Sequence, residues 1–259
     1  MNILLTNDDG VFAPGLSALR GALSELGKVT VVAPKTEQSG VGHAITYRKS
    51  ITAEQVRLSD STEATAVTGT PVDCVKFGLL EVFRGAPELV VSGINLGLNL
   101  GDNIFYSGTV AAALEGAMYG IPSLAVSTSK HNEHQLDRVA EQAIRVLRTV
   151  LSTGSQAVVA FNVNVPALSE AQPEIIFTHH RAAPFPERYL LQERDGEVTY
   201  QLELRQGIEE PEREISDVYA VRAGRISVTP LRTCLTCYDW LALHHSAHKA
   251  GTVDIGGGN

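Results

Sequence analysis

The sequence is poor in cysteine and in positive charge, and it contains no long apolar run. Its 259 residues include only three cysteines, Cys74, Cys234 and Cys237, which are too few for the disulfide framework of a secreted protein. Lys and Arg number 21 against 29 Asp and Glu, and the net charge of −8 argues against a nucleic-acid polymer as the main partner. No stretch approaches the roughly 20 apolar residues of a membrane-spanning helix. No charged leader precedes the first apolar run, so we expect a cytoplasmic protein without a membrane partner.

Short apolar runs alternate with helical patterns over the first two-thirds of the chain. Strands are predicted at residues 3–5, 29–33, 89–91, 123–126 and 157–165. Helices are predicted at residues 14–26, 72–83, 109–119 and 134–151. The strand runs do not alternate in polarity, as is typical of strands buried on both faces. The third helix is rich in Ala and Gly, so we expect it to pack close to the sheet. The pattern predicts an α/β fold with a Rossmann-like, doubly wound, mostly parallel sheet.

The character of the sequence changes near residue 166. Several prolines follow, and residues 198–204 alternate with period two, which is typical of a half-exposed antiparallel strand, while 226–229 resemble a further strand. We expect residues 1–166 to form the core of one domain. Residues 167–259 are expected to return to that core and to carry a β-hairpin arm used in oligomerisation, with a frayed tail at 256–259.

Acidic and amide side chains stand where the predicted strands end. Ligands of open α/β sheets bind beyond the carboxyl ends of the strands. Asp8 and Asp9 directly follow the first strand, and because two adjacent, partly buried carboxylates repel each other, a divalent cation would relieve the repulsion. Ser39 and Asn95 are predicted at the same edge, and such oxygen ligands favour Mg²⁺ or Mn²⁺. The alternative is that Asn-Asp-Asp-Gly is only a turn closed by an Asx side chain.

A Gly- and Asn-rich run over residues 93–103 leads into Ser107-Gly108-Thr109 at the start of the third helix. Backbone N–H groups at a helix N-terminus, joined by two hydroxyls, form an anion site. The residues predicted to bind the substrate phosphate are Ser39, Gly40, Asn99, Ser107, Gly108 and Thr109. The alternatives are ordinary N-capping by the two hydroxyls and a purely structural loop, and capping and phosphate binding are compatible.

The remaining candidate motifs carry little chemistry. Cys234 and Cys237 form a Cys-x-x-Cys, as in redox pairs and zinc sites. No second such motif is present, and the histidines at 244, 245 and 248 follow too closely for familiar zinc spacing. We interpret these cysteines as structural or incidental, with low-affinity metal binding as the alternative, and we place His179-His180 in a surface loop.

Several unlinked motifs occur in the order found in one known family. They are residues 7–10 (NDDG), 37–40 (EQSG), 69–75 (GTPVDCV), 91–99 (VSGINLGLN), 106–110 (YSGTV), 120–123 (GIPS), 162–166 (NVNVP) and 227–231 (SVTPL). Together they resemble the SurE family of stationary-phase survival proteins and nucleotidases. Two departures stand out: Cys234 replaces an acid usual in the family, and residues 179–200 lack the Arg-Gly and double-Tyr pattern of its arm.

The resemblance implies a function and a ligand set. It implies metal-dependent hydrolysis of nucleoside 5′-monophosphates, with 3′-monophosphates and short polyphosphate as further substrates, and a homodimer or homotetramer that exchanges its C-terminal hairpin or helix. It places one Mg²⁺ or Mn²⁺ per subunit on Asp8, Asp9, Ser39 and Asn95, the residues that the strand ends also indicate. Asp8, Asp9 and Asn95 are then the predicted catalytic residues.

Other functions remain open at this point. An aspartyl-phosphate phosphatase would use Asp8 as its nucleophile, although such enzymes separate their two acids by one residue and here the acids are adjacent. A non-catalytic nucleotide-binding or assembly protein would account for Cys234 and the altered arm. A dinucleotide oxidoreductase is disfavoured because no Gly-x-Gly-x-x-Gly follows the first strand.

Overall fold

The computed structural model describes residues 1–83, 86–152, 160–182, 187–194, 197–204 and 215–242. Its strands are β1 (Asn2–Thr6), β2 (Lys28–Pro34), β3 (Ala53–Arg57), β4 (Glu63–Val67), β5 (Leu89–Leu96), β6 (Ser123–Thr128), β7 (Ala160–Val165), β8 (Ile175–Phe177), β9 (Glu187–Arg194), β10 (Glu197–Leu204) and β11 (Ile226–Leu231). Its α-helices are α1 (Pro14–Leu23), α2 (Pro71–Phe77), α3 (Gly108–Met118), α4 (Leu136–Ser152) and α5 (Asp217–Arg222). None of the helices described is long and apolar enough to span a membrane.

The main sheet has nine strands in the order β3-β4-β2-β1-β5-β6-β7-β11-β8. The central strand β1 pairs in parallel with β2 on one side and with β5 on the other. The chain order reverses at this strand, so a crevice opens beyond the carboxyl ends of β1 and β5, where open α/β sheets bind ligands. The predicted Rossmann-like, mostly parallel α/β fold is confirmed.

Helices cover both faces of the sheet. Ile3 and Leu5 of β1 belong to one buried cluster together with residues of α1 and α4, whereas Leu4 belongs to another cluster that includes residues of α2 and α3. Successive strand residues point to opposite faces, so an unalternating apolar run is what a strand buried on both sides requires.

Helix α3 lies close against the sheet, as its small residues predict. A Cβ at Gly116 would overlap Ser123 Oγ and would lie 2.9 Å from the Cβ of Val90. The helix therefore approaches β5 and β6 at a distance that only glycine permits there.

Some boundaries differ from the sequence prediction. The helix expected over 72–83 is α-helical only to Phe77 and continues as a π-helical turn over Gly78–Val82. The helix expected over 14–26 ends at Leu23. Strands β3 and β4 were not predicted, because β3 is mostly exposed at the sheet edge and β4, with the sequence EATAV, contains only one large apolar residue. The strand expected from residue 157 begins at Ala160, and residues 157–159 lie outside those described.

Chain beyond residue 166 contributes to the main sheet. Strand β11 pairs antiparallel with β7 and parallel with β8. The antiparallel strand predicted over 198–204 is confirmed as β10, which pairs with β9 in a separate two-stranded sheet. The histidines at 244, 245 and 248 and the glycine-rich end at 256–259 lie outside the described residues. The division of the chain at residue 166 stays a prediction.

Candidate active site

A tight turn after β1 presents Asp8 and Asp9. Asn7, not an aspartate, closes this turn: its Nδ2 donates to the Gly10 carbonyl at 2.9 Å, and the Gly10 N–H donates to Asn7 Oδ1 at 3.2 Å. Gly10 has φ +106°, a backbone conformation that favours glycine. The turn is therefore the Asx-closed structure considered above, and it leaves both carboxylates free of the closing role.

Asp8 is buried at the N-terminus of α3. Its side chain accepts two hydrogen bonds from Thr109, one from the hydroxyl at 2.6 Å and one from the backbone N–H at 3.1 Å. Burial raises the pKa of Asp8 above its ordinary value, and the hydrogen bonds from Thr109 oppose this rise without cancelling it. The anion that the start of α3 holds in this structure is thus the chain's own carboxylate.

Asp9 is partly buried, and within the described part of the chain no hydrogen bond to its carboxyl group offsets that burial. Burial, followed by the charges of Asp8 and Glu37, raises the pKa of Asp9 to about 6. The crevice therefore places two carboxyl groups side by side where their ionised forms are disfavoured, and a bound cation would relieve this cost.

The loop after β2 brings Ser39 and Gly40 toward Asp8. The backbone N–H of Gln38 donates to the Asp8 carbonyl at 2.8 Å. Ser39 Oγ donates to Glu37 Oε1 at 2.5 Å, and Gly40 is exposed with φ +69°. Both predicted residues therefore lie in a segment that is tied directly to the acidic turn.

Asn95 stands near the end of β5, where the strand pairing with β6 shifts register between Gly93 and Asn95. Such an irregularity re-aims the side chain that follows it. Asn95 Nδ2 donates to the Gly97 carbonyl at 2.6 Å, which fixes the orientation of the carboxamide. Because β1 and β5 are adjacent and parallel, Asn95 lies at the same edge of the sheet as Asp8.

Of the two hydroxyls considered as N-caps of α3, that of Ser107 caps the helix, whereas that of Thr109 bonds Asp8. Ser107 is the N-cap, and its hydroxyl accepts a hydrogen bond from the Val110 N–H at 3.1 Å. A Cβ at Gly108 would lie 3.1 Å from Asp8 Cβ, so the helix begins in direct contact with the acid. Ser107 and Thr109 are both engaged within the protein here, and their contact with a phosphate stays a prediction.

Asn99 is held by residues whose role the sequence did not predict. Its N–H donates to Asn164 Oδ1 at 2.8 Å, its Nδ2 donates to Ser127 Oγ at 2.8 Å, and its carbonyl accepts from Asn162 Nδ2 at 2.8 Å. Two residues further on, the Gly101 N–H donates to the buried carboxylate of Asp217 at 2.8 Å. The sequence signal that could have indicated this network is the pair Asn162 and Asn164, two polar residues at alternate positions of a buried strand.

Cys234 and Cys237 are free and exposed, and Cys74 is free and buried. Over the described ranges, no group of three or more His, Cys, Asp or Glu could hold a metal ion. A cation at the acidic turn would therefore depend on the hydroxyl and amide oxygens as well as on the two aspartates. His179 is exposed and His180 is partly buried, and His179 pairs with Ser216 in an isolated β-bridge.

The fold and this arrangement define a class: a Rossmann-like α/β protein with an acidic, oxygen-rich crevice at the switch point of its sheet. The family described as "Survival protein SurE" matches residues 3–184. A protein named 5′-nucleotidase SurE from Rhodopirellula baltica is 44% identical over 244 residues, which is 93% of this chain and 96% of that one. A protein of the same name from Geobacter sulfurreducens is 42% identical over 252 residues, 95% of this chain and 93% of the other.

A solved structure leads to the same assignment. The crystal structure of the SurE protein from Aquifex aeolicus superposes with a TM-score of 0.81 at 35% identity, covering 96% of this chain and 100% of that one. The chain belongs to the SurE family.

Proposed function

We propose that this chain is a 5′-nucleotidase that hydrolyses the phosphomonoester of nucleoside 5′-monophosphates with the help of a divalent cation. The observation that carries the proposal is the pair of adjacent, partly or fully buried carboxyl groups of Asp8 and Asp9 at the switch point of the sheet. The names of its relatives, at about 40% identity over most of the chain, support the reaction class. Nucleoside 3′-monophosphates and short polyphosphate are proposed as further substrates.

The donor set fits Mg²⁺ or Mn²⁺. Each Asp8 oxygen accepts one hydrogen bond, and a carboxylate oxygen retains a further lone pair for a cation. Asn95 directs its amide nitrogen to Gly97, and Ser39 adds a hydroxyl. An all-oxygen set of this kind suits a hard cation. When bound, the cation would polarise a phosphoryl oxygen and lower the pKa of a water molecule.

The residues of the chain supply orientation and proton transfer. Thr109 fixes the Asp8 carboxylate with two donors, so Asp8 is held in one orientation. The remaining phosphoryl oxygens would be bound by the backbone N–H groups of Gly40 and Gly108 and by Ser107, with Asn99 at the rim. An aspartate of the turn would accept the proton of the attacking water.

We also propose a homodimer or homotetramer formed through the hairpin of β9 and β10. Tyr189 stands opposite Leu202 and Leu191 stands opposite Tyr200, so four exposed apolar side chains share one face of the hairpin. An apolar face of this kind is typical of a protein contact. Light scattering of the purified chain tests this, because a monomer at micromolar concentration would contradict it.

Phosphate release from a nucleotide panel tests the proposed reaction. AMP, 3′-AMP and tripolyphosphate are each incubated with EDTA, with Mg²⁺ and with Mn²⁺. We expect AMP to be hydrolysed when a metal is added and not to be hydrolysed in EDTA. D8N should abolish turnover while circular dichroism shows a folded protein. Calorimetric binding of AMP without any metal-dependent phosphate release would instead favour the non-catalytic alternative.

A further inference from the structure

The loop over residues 35–52 connects β2 to β3 and carries Ser39 and Gly40. It contains no helix or strand, and it is longer than the roughly 12–15 residues usual for a structureless connection in a compact domain. A loop of this length holds one conformation only if the rest of the protein fixes it. The contacts that fix it determine where Ser39 and Gly40 stand.

The strongest tether joins His43 to Glu115. Glu115 lies on α3 with its side chain only 3% exposed, and its Oε2 accepts from His43 Nε2 at 2.8 Å. The other carboxylate oxygen accepts from Lys76 Nζ of α2 at 2.7 Å. Burial alone would raise the pKa of Glu115, but the hydrogen bonds from His43 and Lys76 outweigh it and lower that pKa, so the group is a carboxylate.

Neighbouring contacts transmit this tether to the active site. The N–H of Gly42, next to His43, donates to the Tyr106 carbonyl at 2.9 Å. A Cβ at Gly42 would lie 2.8 Å from the Phe105 carbonyl oxygen, so the loop is pressed against the segment that precedes Ser107. Four residues before Gly42, the Gln38 N–H is bonded to the Asp8 carbonyl. Ser39 and Gly40 thus lie between two fixed points.

A second anchor holds the far side of the loop. Asp73 closes the capping box of α2 with Thr70, and it also accepts from the Thr46 N–H at 3.0 Å and the Thr46 hydroxyl at 2.6 Å. Thr70 Oγ1 donates to the Ala44 carbonyl at 2.7 Å. This second anchor supports residues 44–46. The contact between His43 and the buried carboxylate of Glu115 lies nearer to Ser39 in the chain.

We propose that Glu115 is a positioning residue: by holding His43 it fixes the 38–43 segment, and with it Ser39 and Gly40, against the acidic turn. The structural part of this inference is independent of the reaction, while its kinetic part rests on the proposed nucleotidase function. Lys76 shares the same carboxylate, but among the described residues its Nζ bonds Glu115 of α3 and Tyr119, which directly follows that helix, and no residue of the loop, so it offers a matched control.

Amide hydrogen exchange of the full-length protein in EDTA tests the tether without reference to activity. Gln38, Gly42 and Thr46 each donate a backbone hydrogen bond from the loop and serve as reporters. We expect H43A to accelerate exchange at Gly42 about tenfold, because local opening governs exchange. K76M should stay within about twofold of the wild type. Unchanged exchange in H43A, or equal acceleration in K76M, would overturn the tether.

Kinetics then test positioning. At saturating metal, H43A should lower kcat/KM for AMP about tenfold, mainly through KM, and H43Q should recover much of the loss because its amide can still donate to Glu115. E115A should match H43A, and the double variant should be no worse than either single one, since both remove the same contact. If E115A does not fold, H43A and H43Q still decide between the two outcomes. If exchange in the loop is faster but kcat/KM is unchanged, the proposed positioning role of Glu115 is refuted. If the wild type is inactive, the proposed nucleotidase function is refuted, and the exchange result remains valid.

Discussion

Asp9 makes the crevice costly to the folded state when no cation is bound, and D9N should therefore stabilise the metal-free protein at neutral pH. Burial and the neighbouring charges of Asp8 and Glu37 raise the pKa of Asp9 from 3.8 to about 6. At 1.36 kcal/mol for each pKa unit, such a rise corresponds to about 3 kcal/mol for a fully buried group. Asp9 is partly exposed to solvent, so screening reduces our expectation to about 1–2 kcal/mol.

The sign of this effect follows from proton linkage. A carboxyl whose pKa is higher in the folded than in the unfolded state destabilises the fold when it is ionised. The cost is absent below pH 3.8, grows between pH 3.8 and about 6, and is complete above that range. D9N should thus gain its full advantage at pH 8 and lose most of it near pH 4.

Guanidinium unfolding in EDTA at pH 8 and pH 4, followed by circular dichroism, measures the difference. E141Q, which removes an exposed carboxylate from α4, controls for the change in net charge. In thermal melts at pH 8 the gain should be about 2–4 °C per kcal/mol for a chain of this size. A D9N protein that is no more stable than the wild type at pH 8, or equally stabilised at both pH values, would refute the reasoning.

Added Mn²⁺ should reverse the order of stability. A ligand that binds only the folded state stabilises it by about 2.7 kcal/mol at one hundred times its Kd. The wild type should gain this stabilisation, whereas D9N lacks one proposed ligand and should gain much less. Equal stabilisation of both proteins by Mn²⁺ would contradict the assignment of Asp9 as a ligand.

Three further substitutions test the surroundings of the site. T109V removes the hydroxyl that donates to buried Asp8, so it should raise the pKa of Asp8 further. The acidic limb of the pH–kcat/KM profile should then move to higher pH, and an unmoved limb would contradict this. N164A leaves the Asn99 N–H without its acceptor and should cost about 1–3 kcal/mol in guanidinium unfolding, with a loss below about 0.5 counting against it. D217N places an amide where the Gly101, Arg181 and Val218 N–H groups all donate, so it should lower Tm measurably.

Much of this fold could be predicted from local sequence patterns. The buried strands β1, β5 and β6 were predictable because parallel strands covered on both faces need continuous apolar runs. Asp8 and Asp9 were recognisable because two adjacent carboxylates directly follow such a strand. The order of the strands then brought Asn95 to the same edge through pairing of neighbours in the sheet.

Tertiary contacts account for what the sequence did not predict. Nothing local to residues 107–109 indicates that Thr109 would bond the carboxylate of Asp8, which lies about one hundred residues earlier. Glu115 was a visible anomaly, since it is the one charged residue in a helix of small and apolar side chains. Its partners His43 and Lys76 come from separate segments, however, and only the folded chain brings them together.

Alanine substitutions at two glycines of α3 are expected to differ in effect, one lowering stability and the other lowering activity. A Cβ at Gly116 would overlap Ser123 and lie 2.9 Å from Val90 Cβ, so G116A must push the helix from the sheet and should cost about 1–3 kcal/mol. A Cβ at Gly108 would lie 3.0 Å from Pro71 Cγ and 3.1 Å from Asp8 Cβ, which requires a shift of only a few tenths of an ångström. Alanine also restricts the unfolded chain more than glycine does, which offsets that cost by about 0.4–1 kcal/mol.

G108A should therefore keep nearly wild-type stability and still lose about tenfold in kcat/KM for AMP, because misplacement of a catalytic group by 1 Å can cost about a hundredfold. G116A should show the opposite pattern, with a lower Tm and a kcat/KM close to that of the wild type under conditions in which it is folded. Unfolding curves and AMP turnover measured on both variants decide between the two positions. If G108A kept full activity, the close contact between the start of α3 and Asp8 would have no part in placing the acid, and Thr109 alone would have to hold it.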